Sequence, residues 1–144
     1  MTDISRISTT SNYPALERIV QRFQRLSEPK QKYEQLIYYA KRLPKFPEVD
    51  RIPENKVPGC TSLVYVTAKL DQGKVLFQGD SDSQIVKGLV GVLVEGLNGL
   101  TPAQIWQISP DFIVDTGLNI SLTPSRTNGF YQILQMMKIK ASCL

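Results

Sequence analysis

The sequence predicts an α+β domain, a small antiparallel β-sheet covered by helices, from three observations. Apolar residues recur at helical spacing before residue 44 and again after residue 81. Between them one alternating stretch turns back on itself at Asp71-Gln72-Gly73. Four prolines within 44–58 exclude a regular helix there.

The elements follow in order. Residues 1–11 are polar and read as a flexible tail, leaving 12–144 as a single domain. Asn12 is placed to cap a first helix with Pro14 in its first turn, where a missing N–H costs little. Leu16, Ile19, Val20, Phe23 and Leu26 form its apolar stripe. Ser27 or Glu28 with Pro29 starts a second helix, with Tyr33, Leu36, Ile37, Ala40 and Leu43 expected inward. So short a link predicts that the two helices pack as an antiparallel or steeply crossed pair. Ser62 to Leu70 alternates as a strand, and Lys74 to Gln78 returns beside it as a hairpin. Ser81 and Gln84 have the spacing of a capping box for a strongly apolar helix through about Leu97, where Gly88 and Gly91 suggest close approach of another backbone. Thr101, Pro102 and Gln104 open a short helix with Trp106 expected in the core; Ser109 and Pro110 open another that Gly117 closes. Ser125 marks the last helix, to roughly Lys140, with Phe130, Ile133, Leu134 and Met137 inward.

At 144 residues the chain can bury a core without disulfides or metals. Its net charge of +4 is spread along the whole length, with no basic run longer than two residues, which argues against nucleic acid as a partner. No stretch approaches the roughly 18 apolar residues of a membrane span. The first ten residues lack the apolar core of a secretory signal; Asp3 argues mildly against a transit peptide, while Arg6 and several Ser/Thr residues leave one open, and the simplest expectation is a cytoplasmic location. There is no histidine. That excludes a Ser-His-Asp triad, a Cys-His pair and any His-ligated metal within the chain.

What remains is Cys60, in Val57-Pro58-Gly59-Cys60-Thr61-Ser62, where the proline-rich connection meets the first strand. Pro58 stiffens the approach and Gly59 opens backbone conformations closed to other residues, which puts the thiol at the tip of a constrained turn. A free cysteine is also commonly a small buried apolar residue. The second cysteine, Cys143, lies near the end of the chain and is expected to be an accessible thiol without a role. With no imidazole, activation of Cys60 must come from a cation, backbone N–H groups, a helix N-terminus or a partner; a buried resting position would instead raise its pKa and shield a bound sulfur.

Beyond this turn, Gly79-Asp80-Ser81-Asp82 with Ile85-Val86-Lys87-Gly88-Leu89, and Leu122-Thr123-Pro124-Ser125-Arg126 with Asn128-Gly129, complete three blocks whose order and spacing resemble the SufE family of sulfur acceptors, which includes the CsdE proteins. Within those blocks Pro58 and Thr61 stand where glutamine is frequent in the family, and Tyr65 stands where tryptophan is usual. The resemblance implies a SufE/IscU-like fold, with a short extra strand near Lys56 and Val57. It implies that Cys60 accepts persulfide sulfur from a cysteine desulfurase of the SufS or CsdA type, stimulates that enzyme, and passes the sulfur to an iron–sulfur scaffold complex. Such a chain is a sulfur-transfer partner rather than a stand-alone enzyme. It needs no cofactor or metal of its own, pyridoxal phosphate belonging to the desulfurase, and a homodimer is compatible with it.

Gly59, Ser62, Asp80, Ser81, Asp82 and Arg126 are then the supporting loop or partner-contact residues. Each has a plainer reading: Ser81 as a helix cap, the acids beside it as favourable charges at a helix start, Lys87 as an exposed helical lysine. Arg126, where a helix N-terminus disfavours a cation, is expected to hold the resting loop or steady the thiolate. The alternative for the whole chain is a non-catalytic interaction domain whose cysteine is inert and structural.

Overall fold

The computed structural model describes residues 10–144. The tail expected over 1–11 therefore lies, apart from Thr10 and Ser11, outside the described residues. Thr10 to Asn12 form a turn closed by a hydrogen bond from Tyr13 N to Thr10 O. That turn uses Asn12 and moves the cap position to Tyr13, so Asn12 does not cap helix α1 (Pro14–Gln24). Pro14 opens α1, and Leu16, Ile19, Val20 and Phe23 are buried as the spacing predicts.

Helix α2 (Pro29–Arg42) is capped by Glu28, through a reciprocal box with Gln31. Its buried stripe is Lys32, Leu36, Tyr39 and Ala40, rotated from the expected one; Tyr33 and Ile37 are only half-buried. The cause is Lys32. Its ammonium donates to the carbonyls of Phe23 (3.0 Å) and Thr116 (2.6 Å), at the C-terminal ends of two other helices, where a cation is favoured. Apolar periodicity cannot reveal a buried lysine. Nor do α1 and α2 pack mainly on each other. Both lie against helix α3 (Gln84–Leu97). A Cβ on Gly88 would stand 2.3 Å from the Leu36 carbonyl oxygen, and one on Gly91 2.5 Å from that of Tyr39, so the expected close approach is to α2.

The two-stranded sheet pairs β1 (Val64–Asp71) with β2 (Lys74–Ser81), in register from Val64 opposite Ser81 to Asp71 opposite Lys74. Gln72 and Gly73, both at positive φ, make the tight turn that a right-twisted hairpin needs. β2 runs three residues past its expected end. A lone hairpin is marginal in water; here Val64, Val66, Val75 and Phe77 face inward and are sealed by α3 and the last helix, α7 (Pro124–Ser142). The 44–58 connection holds only two 3₁₀ turns, Glu48–Asp50 and Pro53–Asn55, and the extra strand near Lys56 is a single bridge to Tyr65.

Because β2 extends to Ser81, α3 starts later than expected. Ser83, not Ser81, caps it by accepting from Val86 N, and Ser81 Oγ accepts from Ser83 N instead. Thr101 and Gln104 form the expected box on α4 (Pro102–Gln107). Trp106 is 54% exposed rather than core. Its neighbour Ile105 takes the inward position on this one-and-a-half-turn helix, which turns the indole outward. After α5 (Phe112–Thr116), closed by Gly117, a further short helix α6 (Leu118–Ser121) appears that the sequence reading lacks. Thr123, not Ser125, caps α7 by accepting from Arg126 N. Phe130, Ile133, Leu134 and Met137 of α7 are buried as predicted.

Candidate functional site

The proline-rich connection enters the site through Val57, which is buried and donates to Val64 O at 2.9 Å beside the Lys56–Tyr65 bridge. On the other side Asp82 holds the first residues of the returning chain. Its Oδ1 accepts from Leu63 N at 3.0 Å, and its own N–H donates to Leu63 O at 3.2 Å. Residues 58–62 are therefore a short loop tied at its base. Gly59 at its tip has φ of 78°, the left-handed region that glycine tolerates best, and a Cβ there would press on the Gln132 side chain at 3.3 Å.

Cys60 is half-buried, with Sγ 3.9 Å from the Gly129 carbonyl oxygen. The loop around it rests on one face of α7: Asn128 Nδ2 donates to Gly59 O at 3.3 Å, and the Thr61 and Ser125 hydroxyls lie 3.1 Å apart. Ser125, Asn128, Gly129 and Gln132 fall three, one and three residues apart, the spacing that aligns side chains on a helix. Burial pushes the Cys60 thiol pKa up. The resting thiol is thus held in its protonated form.

Asp80 serves a different purpose from Asp82. Its carboxylate bridges Arg51 (2.6 Å) and Lys87 (3.3 Å). The Arg51 guanidinium also reaches Glu48 at 3.0 Å and lies over the Phe46 and Tyr65 rings, 5.2 and 5.8 Å from their centroids. The network fastens the proline-rich connection to the outer face of the hairpin. Burial by itself would raise the Asp80 pKa, but Arg51, the Ser81 N–H at 2.8 Å and Lys87 together hold it below the usual carboxylate range. Lys87 is accordingly an ion-pair partner, not the solvated helical lysine expected.

Of the residues singled out in the sequence, Gly59 and Asp82 shape the cysteine loop directly. Ser62 is half-buried beside it, with no hydrogen bond from its hydroxyl among the described residues. Ser81 joins β2 to α3. Arg126 is half-buried, and the loop is held by Ser125 and Asn128 rather than by its guanidinium. Cys143 is exposed at the end of α7, as expected. Arg51 and Gln132 were missed; the sequence reads Lys87 as an exposed helical lysine and Ser125 as the start of the last helix. Arg51 lies 29 residues from its carboxylate partner and no local pattern links them; Asn128-Gly129 was visible as a pair, without a role. Among the described residues no group of three or more Cys, Asp or Glu could hold a metal ion, and no helix is long and apolar enough to cross a membrane. A surface depression of about 450 Å³ on the hairpin is lined by Thr67, Phe77 and Asn98, and not by Cys60.

The chain as a whole is similar to known proteins. A solution structure of a hypothetical protein from Thermus thermophilus superimposes with a TM-score of 0.78 at 26% identity, covering 90% of this chain and 95% of that one. An uncharacterised SufE-like protein of Synechocystis is 59% identical over 128 residues, 89% of this chain and 80% of its own length. The cysteine desulfuration protein SufE of Plasmodium falciparum is 35% identical over 132 residues, 88% of this chain but only 53% of its own length. Residues 17–141, from the first turn of α1 to the end of α7 and including the whole cysteine loop, match the SufE model of Fe-S metabolism associated domains, and the chain belongs to that family.

Proposed function

We propose that this chain is a sulfur acceptor and carrier: Cys60 takes persulfide sulfur from a cysteine desulfurase and passes it on for iron–sulfur cluster assembly. The observation that carries the reading is a free thiol on a base-tied loop, in a chain of this family and similar to a relative named for cysteine desulfuration. In the exchange, the Cys60 thiolate attacks the outer, sulfane sulfur of the desulfurase persulfide. A new S–S bond forms on Cys60, the partner's cysteine leaves as a thiolate, and no oxidant or reductant is consumed. A downstream acceptor thiol, in an iron–sulfur scaffold complex, removes the sulfur by the same step. Pyridoxal phosphate belongs to the desulfurase, whose turnover rises as its persulfide is cleared.

The resting site suits a carrier. An ordinary thiol of pKa about 8.5 is only about 3% thiolate at pH 7, and burial of Cys60 lowers that fraction further. The thiol is quiet until docking gives it a new environment. Arg126, half-buried near the loop's anchor Ser125 and without an ion pair among the described residues, is a candidate to meet the partner or the thiolate there. The compartment we propose is the cytoplasm, where cysteines such as Cys60 and Cys143 stay reduced.

The test is intact mass after incubation with an active cysteine desulfurase and cysteine, without reductant. A gain of about one sulfur atom, reversed by mild reduction and absent in Cys60→Ser, is the expected result. No gain leaves Cys60 as a packing residue of an interaction domain, the reading its burial would then favour.

A further inference from the structure

The loop that carries Cys60 is fastened strongly at its base and weakly at its tip. The base has three hydrogen bonds: Val57 N to Val64 O at 2.9 Å, which makes the Lys56–Tyr65 bridge, Leu63 N to Asp82 Oδ1 at 3.0 Å, and Asp82 N to Leu63 O at 3.2 Å. The tip has one long hydrogen bond from Asn128 to Gly59 O (3.3 Å) and one hydroxyl pair between Thr61 and Ser125 (3.1 Å), both exposed. The third tip contact, thiol to Gly129 O at 3.9 Å, is weak because sulfur is a poor donor. Pro58, Gly59 and Thr61 are exposed, so Cys60 itself is the chief apolar anchor of the tip.

We infer that Asn128, assisted by Ser125, is a positioning residue for sulfur transfer: a latch that holds the loop tip on α7 and, when released, lets the tip stand away while the base stays fixed. The inference deepens the sulfur-acceptor reading and rests on it. The five residues 58–62 between the clamped ends, at about 3.3 Å each, let the tip rise by about 8 Å, half their extended length. That carries the thiol off the α7 surface without breaking the hairpin. Gly59 accepts from Asn128 through its carbonyl alone, so this contact reads no side chain of the loop and remains available when Cys60 carries an extra sulfur. A partner that offers Gly59 O another donor, or engages the Asn128 amide, opens the loop at small cost.

The experiment needs no desulfurase. In a Cys143→Ser background, the rate of Cys60 alkylation by iodoacetamide is followed by intact mass across pH 6–10, with thermal unfolding recorded alongside. One exposed hydrogen bond of about 1 kcal/mol corresponds to about a fivefold change in the fraction unlatched. Asn128→Ala is therefore expected to speed alkylation about fivefold near neutral pH. The midpoint of the pH–rate profile should also fall toward that of an ordinary thiol, because the released thiol is solvated, and the melting temperature should barely change. Asn128→Asp, which keeps the shape and removes the donor, should do the same. Rates and midpoints unchanged in both variants overturn the latch. A wild-type protein that takes up no sulfur would refute the carrier reading while leaving this measurement intact.

Discussion

Gly88 tests the packing that holds the site in place. A Cβ there would lie 2.3 Å from Leu36 O, 2.7 Å from Leu36 C and 2.8 Å from Leu36 Cβ. An acceptable separation from a backbone oxygen is about 3.3 Å, so Gly88→Ala forces α2 and α3 apart by about 1 Å; close-packed interiors yield to such insertions at a cost of roughly 1–3 kcal/mol. The obstacle is backbone, which no rotamer change removes, so the upper end of that range applies. The alanine itself favours a helix interior by about 0.5–1 kcal/mol. The net loss is about 2 kcal/mol, or about 6 °C in melting temperature for a domain of this size. Gly96 supplies the contrast: its Cβ would meet Leu16 Cδ1 at 2.7 Å, the far end of a side chain that can rotate away. Gly96→Ala should thus stay within about 1 kcal/mol of the parent. Thermal and urea unfolding followed by circular dichroism measure both variants under one protocol. If Gly88→Ala melted at or above the parent temperature, or if Gly96→Ala were the more damaging, the backbone-contact argument would be wrong.

Asp80 gives a pH signature. Its carboxyl is held below the usual range by Arg51, Ser81 N–H and Lys87 against the opposing effect of burial, so its stabilisation is complete above the unfolded carboxylate value near 3.9 and is lost as pH falls through the folded one. Asp80→Asn should cost about 1 kcal/mol at pH 7 and progressively less as pH falls below about 3.9, read from urea midpoints; a gap that does not shrink in acid contradicts the assignment. Trp106, the sole tryptophan, should fluoresce like a solvated indole and be readily quenched by acrylamide in the folded protein. A blue-shifted, protected emission would return it to the core.

Legibility in the sequence followed the range of the interactions. The hairpin, the existence of both N-terminal helices, the glycine contacts of α3 and the inward face of α7 rest on periodicity, turn chemistry and local size, all of which a linear chain displays. Ser81, Ser125 and Asn12 misled because a serine or asparagine near a helix start competes with its neighbours: Ser83, Thr123 and Tyr13 took the cap positions once strand length and turn geometry were fixed. Lys32 and Arg51 were hidden for a deeper reason. Each satisfies groups far along the chain, two helix ends for Lys32 and a carboxylate and two rings for Arg51, and only the assembled fold brings those groups together. At the site, the cysteine turn and Asp82 could be singled out beforehand. Ser125 and Asn128 were visible as part of a motif, but the contacts by which they hold the turn down on α7 were not.

That division bears on how a chain without histidine controls a nucleophile. The cations on the hairpin side, Arg51 and Lys87, are committed to Asp80 rather than to Cys60, and the thiol contact that exists is to a carbonyl oxygen, which accepts a proton's hydrogen bond and does nothing for a thiolate. Burial and the Gly129 carbonyl therefore both favour the protonated thiol at rest. A carrier exposed to many electrophiles gains from that, since an activated free thiolate would be alkylated or oxidised before meeting its donor. For the proposed carrier, selectivity would then lie in where the loop goes rather than in how reactive the sulfur is at rest. In the carrier proposed above, the chemistry would be supplied where a partner's persulfide and its surrounding charges receive the extended tip, and a weakly latched tip on a firmly tied base would let that reception cost little while keeping the rest of the fold unchanged.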